Sequence, residues 1–220
     1  MRILKLKNNF NWKYITGEIL LIFIGISLAI GFNNWNTSLK STRQIDISIT
    51  HIKEEIENNL KELKEARKVN QKILQAFSEH KKIYDGKTTD LITSPEHFAI
   101  LQTKYPGFFR ASDTLKLDSN LFHYSGSTSV NLELFELTEI AWETTRLVSI
   151  TNEFKYECLY ELESMYSLQR RVQNEIDKAA FALQKGNIKE LMSILGFLVQ
   201  LDHQLELNYA TILKDIENCR

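Results

Sequence analysis

Five histidines, two cysteines, a Gly-Lys-Thr triplet and a Ser-Gly-Ser triplet are the places where this chain could do chemistry. Their spacing argues against each as a catalytic signature. A di-iron carboxylate bundle needs Glu three residues ahead of His on two helices. Here Ser48, Phe77, Ser94, Asn120 and Gln200 stand ahead of His51, His80, His97, His123 and His203. No two histidines have helical ligand spacing, so a zinc site would have to be assembled from distant parts of the chain. Gly86-Lys87-Thr88 has the ending of a phosphate-binding loop, but Lys81 occupies the place of its first glycine, which leaves a turn. Ser125-Gly126-Ser127 lacks the second glycine of a nucleophile elbow, and no strand signal precedes it. These residues predict no catalytic set, no metal ligands and no cofactor, and therefore a protein that is not an enzyme.

Cys158 and Cys219 permit at most one disulfide. If the helices flanking Gly186 are antiparallel, position 158 faces roughly position 214, ~7 Å short of Cys219 along the axis. The expectation is two separate thiols. Gln169 and Asp202 interrupt otherwise apolar stripes. Asp202 either pairs with Arg170 or Arg171 to fix register or bind a ligand, or marks the edge of a stripe whose other row is Met192, Val199 and Leu213; the edge is the simpler expectation. Trp142 and Tyr166 are expected as large core residues in preference to the lining of a pocket.

The elements that must carry these residues begin with an apolar run, Ile15 to Phe32, whose single charge is Glu18. Its length is at the lower end of what spans a bilayer. Trp12 and Tyr14 precede it and Trp35 follows it, and from Trp12 to Trp35 a helix rises ~35 Å, close to the separation of the two interfacial belts. A cleaved signal peptide competes, with small residues at Ser27-Leu28-Ala29 or Ala29-Ile30-Gly31. The length of the run and the amphiphilic Asn33-Asn34-Trp35-Asn36 favour an uncleaved anchor. Arg2, Lys5, Lys7 and Lys13 precede the run, and only Lys40 and Arg43 follow it closely. That asymmetry predicts a cytoplasmic N-terminus and a translocated body.

On a helix, positions 18, 22, 25 and 29 fall in one narrow stripe, so Glu18 shares a face with Gly25 and Ala29, a small-xxx-small pair. Two readings fit: an association face carrying a polar contact to a partner helix, or an interfacial acid beside incidental small residues.

"GEILLIFIGISLAIGFNNWN" followed by "IKEEIENNLKELK" resembles the start of a bacterial family of single-span membrane proteins of unknown function. "AWETTRLVSITNEF" and "MYSLQ", at residues 141 to 154 and 165 to 169, resemble that family's second recurring block. The resemblance implies a membrane anchor with a helical body, and it implies no activity.

Beyond the run, the scarcity of Gly (8) and Pro (2) favours long helices. No Gly or Pro occurs between Phe32 and Asp85, so the anchor helix is free to continue. Ile45, Ile49, Ile52, Ile56, Leu60, Leu63, Ala66, Ile73 and Phe77 form a stripe of helical period, and Lys53, Glu57, Lys61 and Glu65 offer i,i+4 pairs opposite it. Asp85-Gly86 ends that helix, Ser94-Pro95-Glu96 starts a short one, and Tyr105-Pro106-Gly107 closes it. The segment to Leu132 then reads as irregular but aromatic-rich, with no alternation long enough for a sheet; weak strand candidates at 114–117 would pair only with each other. Leu134, Leu137, Ala141 and Val148 line a helix. Cys158 to Leu183 and Ile188 to Ile216 form two more, separated by Lys185-Gly186-Asn187 and begun again by an Asn187/Glu190 capping box.

The resulting expectation is an all-α chain. Residues 1–14 are cytoplasmic, 15–32 span the membrane, 33–84 form a long helix or stalk, 85–130 are irregular with a short helix, and 131–220 complete an antiparallel helical bundle. With the four leading bases and Glu18 set aside from 27 basic and 28 acidic residues, the body carries −4. It offers no footprint for nucleic acid. The leading functional expectation is an inner-membrane, single-pass envelope protein with a periplasmic body. Its partners would be the lipid bilayer and another membrane or periplasmic protein, or a second copy. The alternative is a periplasmic ligand-sensing module that works with a separate signalling subunit.

Overall fold

The computed structural model describes residues 12–86, 88–118 and 120–219, leaving aside the side chains of Lys13 and Tyr14. The described chain is mostly helical and forms two compact units that divide after Ile47. Helix α1, Trp12–Lys81, contributes to both.

In the first unit, the stretch of α1 from Ile15 to Phe32 carries a single charge, Glu18, and none of its side chains is buried. An 18-residue window reaches a mean hydropathy of 2.2 with none of it buried, so the helix is long and apolar enough to cross a membrane. Ile19, Leu21, Phe23, Ile26, Leu28 and Phe32 all stand exposed.

In the second unit α1 becomes amphipathic. Ile52, Ile56 and Leu63 are fully buried and Ala66, Ile73 and Ala76 nearly so, each Ile or Leu contributing about 1.5–3 kcal/mol relative to exposure. Glu57, Lys61 and Glu65 face outward as the stripe predicts. Lys53, however, meets Glu217 at 2.9 Å from the far end of the chain. The last turn tightens through bonds from the Lys82 and Ile83 N–H groups to the Glu79 and His80 carbonyls, and Gly86, at φ 84°, turns the chain.

Against this helix pack two long antiparallel helices, α4 (Tyr156–Gln184) and α5 (Ile188–Asp215). Their stripes are buried as the spacing requires, including Leu162, Met165, Val172 and Ile176 on α4 and Leu191, Leu195, Leu205, Tyr209 and Ile212 on α5. Gly186, at φ 69°, stops α4, and the Asn187 side chain accepts the Glu190 N–H at 3.3 Å to start α5. The expected helix from Leu134 is shorter: residues 129–139 run without regular structure, and α3 covers only Ile140–Leu147.

The all-α expectation is corrected by a three-stranded antiparallel sheet of β1 (Leu91–Thr93), β2 (Phe109–Lys116) and β3 (Phe122–Thr128), in the order β1-β3-β2. The short helix α2, Pro95–Lys104, sits between β1 and β2 with Ser94 accepting the His97 N–H as its N-cap. The strands escape a periodicity search because only the first residue of β2 is buried, so no alternation exists to be read. The 114–117 region pairs with β3, as in Thr114 opposite Tyr124, with a bulge between Ala111 and Asp113. Gly126 is required there: a Cβ would collide with the Arg110 carbonyl and lie 2.8 Å from the Phe109 ring.

Cys158 and Cys219 are joined by a disulfide, with Cα atoms 5.4 Å apart, which overturns the expectation of separate thiols. Helix α5 stops at Asp215, and a 3-10 turn, Ile216–Asn218, carries the chain across the start of α4 instead of further along the axis. There the Lys155 N–H bonds the Cys219 carbonyl at 3.0 Å and Lys155 Nζ the Asn218 carbonyl at 2.8 Å.

Candidate functional site

The candidate association face lies on α1 in the first unit. Glu18, Gly25 and Ala29 are exposed on the helix, and a Cβ built at Gly25 meets nothing within 4 Å. No other part of the described chain is brought to this face. Trp12 and Trp35 are exposed, Trp35 with its ring edge-on to Phe32 at 5.8 Å. The Tyr14 side chain lies outside the described residues, as do Arg2, Lys5, Lys7 and the Lys13 side chain.

The second unit holds a buried polar network. Glu55 on α1 accepts the Tyr166 hydroxyl at 2.7 Å and the Ala141 N–H at 2.8 Å. It thereby caps α3, whose own N-cap residue, Glu139, makes no side-chain capping bond to the helix. A carboxylate at a helix N-terminus satisfies both an orphan donor and the helix dipole. Four residues on, Asn59 Nδ2 donates to the Thr138 carbonyl at 2.7 Å and to Gln169 at 3.2 Å, while its Oδ1 accepts the Thr138 N–H at 3.1 Å. Gln169 in turn accepts the Tyr209 hydroxyl at 2.8 Å and donates to Thr138. Burial pushes the Tyr166 hydroxyl far up, with the Glu55 charge adding to it, and burial likewise raises Tyr209. Both hydroxyls are therefore permanent donors. Trp142 stacks on Tyr166 at 5.6 Å and donates to Glu163 at 3.0 Å; both rings are core, as expected. The network ties α1, the lead into α3, α4 and α5 together, and the pairing of its buried groups fixes their register. Glu55 and Asn59 were legible as polar members of the stripe Ile52, Ile56, Leu63, since they share its i,i+3,i+4 face.

Asp202 corrects both earlier readings. Arg170 pairs with Glu139 at 2.9 Å and Glu163 at 3.1 Å, not with Asp202. Nor does Asp202 mark an exposed edge, since it is 6% exposed and its Oδ1 has no hydrogen-bond partner. It lines a cavity of about 20 Å³, roughly one water in size, together with Arg67, Asn70 and Ile176. Burial raises its carboxyl to about 7, with Arg67 only partly opposing this. Arg67 itself bonds Glu206 at 2.5 Å.

At the end of α1, His123 Nε2 lies 3.8 Å from Asp85 Oδ2 and 3.6 Å from Asp90 Oδ2. The ligand atoms of these three lie within 4.8 Å of one another, a set that could hold a cation. It is assembled from distant parts of the chain, the one route to a metal site that spacing left open. Asp85 also accepts from Thr88, and Asp90 from Ser125 and the Gly126 N–H, so the same groups clamp β3 to the turn after α1. No local signal links positions 85 and 123; sheet pairing alone joins them. Gly86 makes the expected turn. Ser125-Gly126-Ser127 lies within β3, not at a strand-to-helix elbow.

His80 is 1% exposed, its ring 4.8 Å from that of Phe108. Its Nδ1 bonds the Ala76 carbonyl at 2.8 Å and its Nε2 has no partner. Burial lowers its pKa, which keeps the ring neutral, with the Nδ1 proton donated to Ala76.

Comparison with curated proteins and with solved structures finds no match. Residues 18–120 match a family of unknown function, DUF6090. The matched stretch holds most of α1, the helix α2 and the strands β1 and β2, and excludes the block at 141–169; over that stretch the chain is similar to an uncharacterised family, whose description carries no activity.

Proposed function

We propose that this chain is a single-pass, membrane-anchored helical protein whose second unit lies on the periplasmic side and acts by contact with another envelope protein or a second copy. One observation carries the reading: the first half of α1 offers an 18-residue window of hydropathy 2.2 with no residue buried by the rest of the chain. An exposed apolar surface of that extent in water would drive aggregation, whereas in a bilayer it is solvated. The basic residues ahead of the run support a cytoplasmic start. The Cys158–Cys219 bridge supports an oxidising compartment for the second unit, such as a bacterial periplasm. The interaction role rests on the open Glu18, Gly25, Ala29 face and on the absence of a complete catalytic set among the described residues.

The test is extraction with alkaline carbonate, followed by protease digestion of spheroplasts. The chain is expected to stay in the membrane pellet and its second unit to be cut from outside. Recovery in the supernatant, or protection until lysis, would overturn the anchor or its orientation respectively.

A further inference from the structure

Between α1, the turn after α2 and the residues following β3 lies an open groove of about 570 Å³, a volume suited to a small ligand. Its floor is apolar: Ile73 and Phe108 are buried beneath it and Val130 lies beside them. Its rim is basic. Lys72, Lys104 and Arg110, one each from α1, α2 and β2, line it, and no carboxylate does. This runs against the −4 carried by the chain beyond the apolar run. Lys104 is held by Glu79 at 2.6 Å, whereas Lys72 and Arg110 make no ion pair among the described residues.

The groove is also shaped by a fixed turn. The Phe108 N–H bonds the Tyr105 carbonyl at 3.2 Å around Pro106 and Gly107, the latter at φ 79°. Proline followed by a positive-φ glycine is what a type II turn demands. The Ser129 N–H then bonds the Phe108 carbonyl at 2.7 Å and closes the far wall. Two uncommitted cations above an apolar floor select for charge and shape together: an anion without a tail leaves the floor wet, and a tail without an anion leaves the cations unused.

We propose that this groove binds an anionic amphiphile, a carboxylate or phosphate on a short apolar tail, with Lys72 and Arg110 pairing the head and Ile73, Phe108 and Val130 covering the tail. The site goes beyond the anchoring role and stands without it. The same chemistry is offered by a soluble organic acid and by an acidic lipid.

The experiment is calorimetric titration of the full chain in nanodiscs of neutral lipid with hexanoate, acetate and hexylammonium. Hexanoate should bind saturably, acetate at least about tenfold more weakly for want of a tail, and hexylammonium not at all. The double variant Lys72→Ala/Arg110→Ala should lose at least about tenfold in hexanoate affinity while melting as the parent does, since both side chains are exposed. Nanodiscs containing phosphatidylglycerol separate the sources. A weakened apparent affinity for hexanoate supports the groove with lipid as its occupant, and an unchanged one supports it with a soluble acid. No saturable hexanoate binding, equal binding of hexylammonium, or full affinity in the double variant would each overturn the proposal.

Discussion

The two halves of α1 share one backbone geometry and differ in almost everything else. From Ile15 to Phe32 the helix carries one charge and none of it is buried; from Ser48 onward it is apolar on one stripe, and that stripe is the wall of a core. Helical hydrogen bonding is equally satisfied in both. What separates them is whether the side chains opposite the stripe can face water: Glu57, Lys61 and Glu65 can, whereas Leu21, Phe23 and Leu28 cannot without cost. In the first half a small residue such as Gly25 has nothing above it. In the second, each polar residue on the buried face answers to a partner, as Glu55 does to Tyr166 and Ala141.

Asp202, which faces Arg67 of that second half, is the strongest test of this rule. Its carboxyl is raised to about 7 from an ordinary 3.8 by burial. The folded chain therefore holds the proton more tightly than the unfolded chain. The contribution of this group to stability is complete below about pH 4 and is lost as pH climbs toward 7. The loss amounts to as much as about 4 kcal/mol. Asp202→Asn should flatten the pH dependence of the urea midpoint over that window and raise the midpoint at about pH 8. A slope unchanged from the parent would mean that Asp202 has found a partner.

Leu63→Ala attacks the stripe itself. Leu63 is fully buried, so the truncation should cost about 3 kcal/mol by denaturant unfolding while leaving the chain in the membrane pellet. Equal disturbance of both would erase the distinction between the halves. The smallest expected effect lies on the exposed half. Gly25→Leu meets no clash within the chain, so it should leave unfolding unaltered and weaken helix association by only about 1 kcal/mol, read by energy transfer between labelled copies in vesicles. Unaltered transfer would remove Gly25 from any contact between copies.

Legibility followed the range of the physics. The caps at Ser94 and Asn187 and the stops at Gly86 and Gly186 are decided within a few residues and could be read directly. The stripes of α1, α4 and α5 needed only their period. The sheet could not be read, because β2 buries one residue of eight and is held by backbone pairing to β3. The disulfide is not legible from helix geometry, because the chain leaves the axis of α5 after Asp215 and turns across the start of α4. Glu55 and Asn59 sat in view on the stripe, yet their roles depend on Ala141 and Thr138, which lie 86 and 79 residues away.

The sequence by itself determined that the chain has one helix apolar enough for a bilayer, that long amphipathic helices follow it, and where two of them turn back on each other. Those properties arise from transfer free energy and from hydrogen bonds between near neighbours, both of which are local. Only the tertiary structure decided that Cys158 meets Cys219, that Glu55 caps a helix of another segment, that Asp202 Oδ1 has no hydrogen-bond partner among the described residues, and that Lys72, Lys104 and Arg110 rim one groove. Each of these joins residues across tens of positions, where partner choice is fixed by which packed arrangement closes, and no window of sequence contains that information.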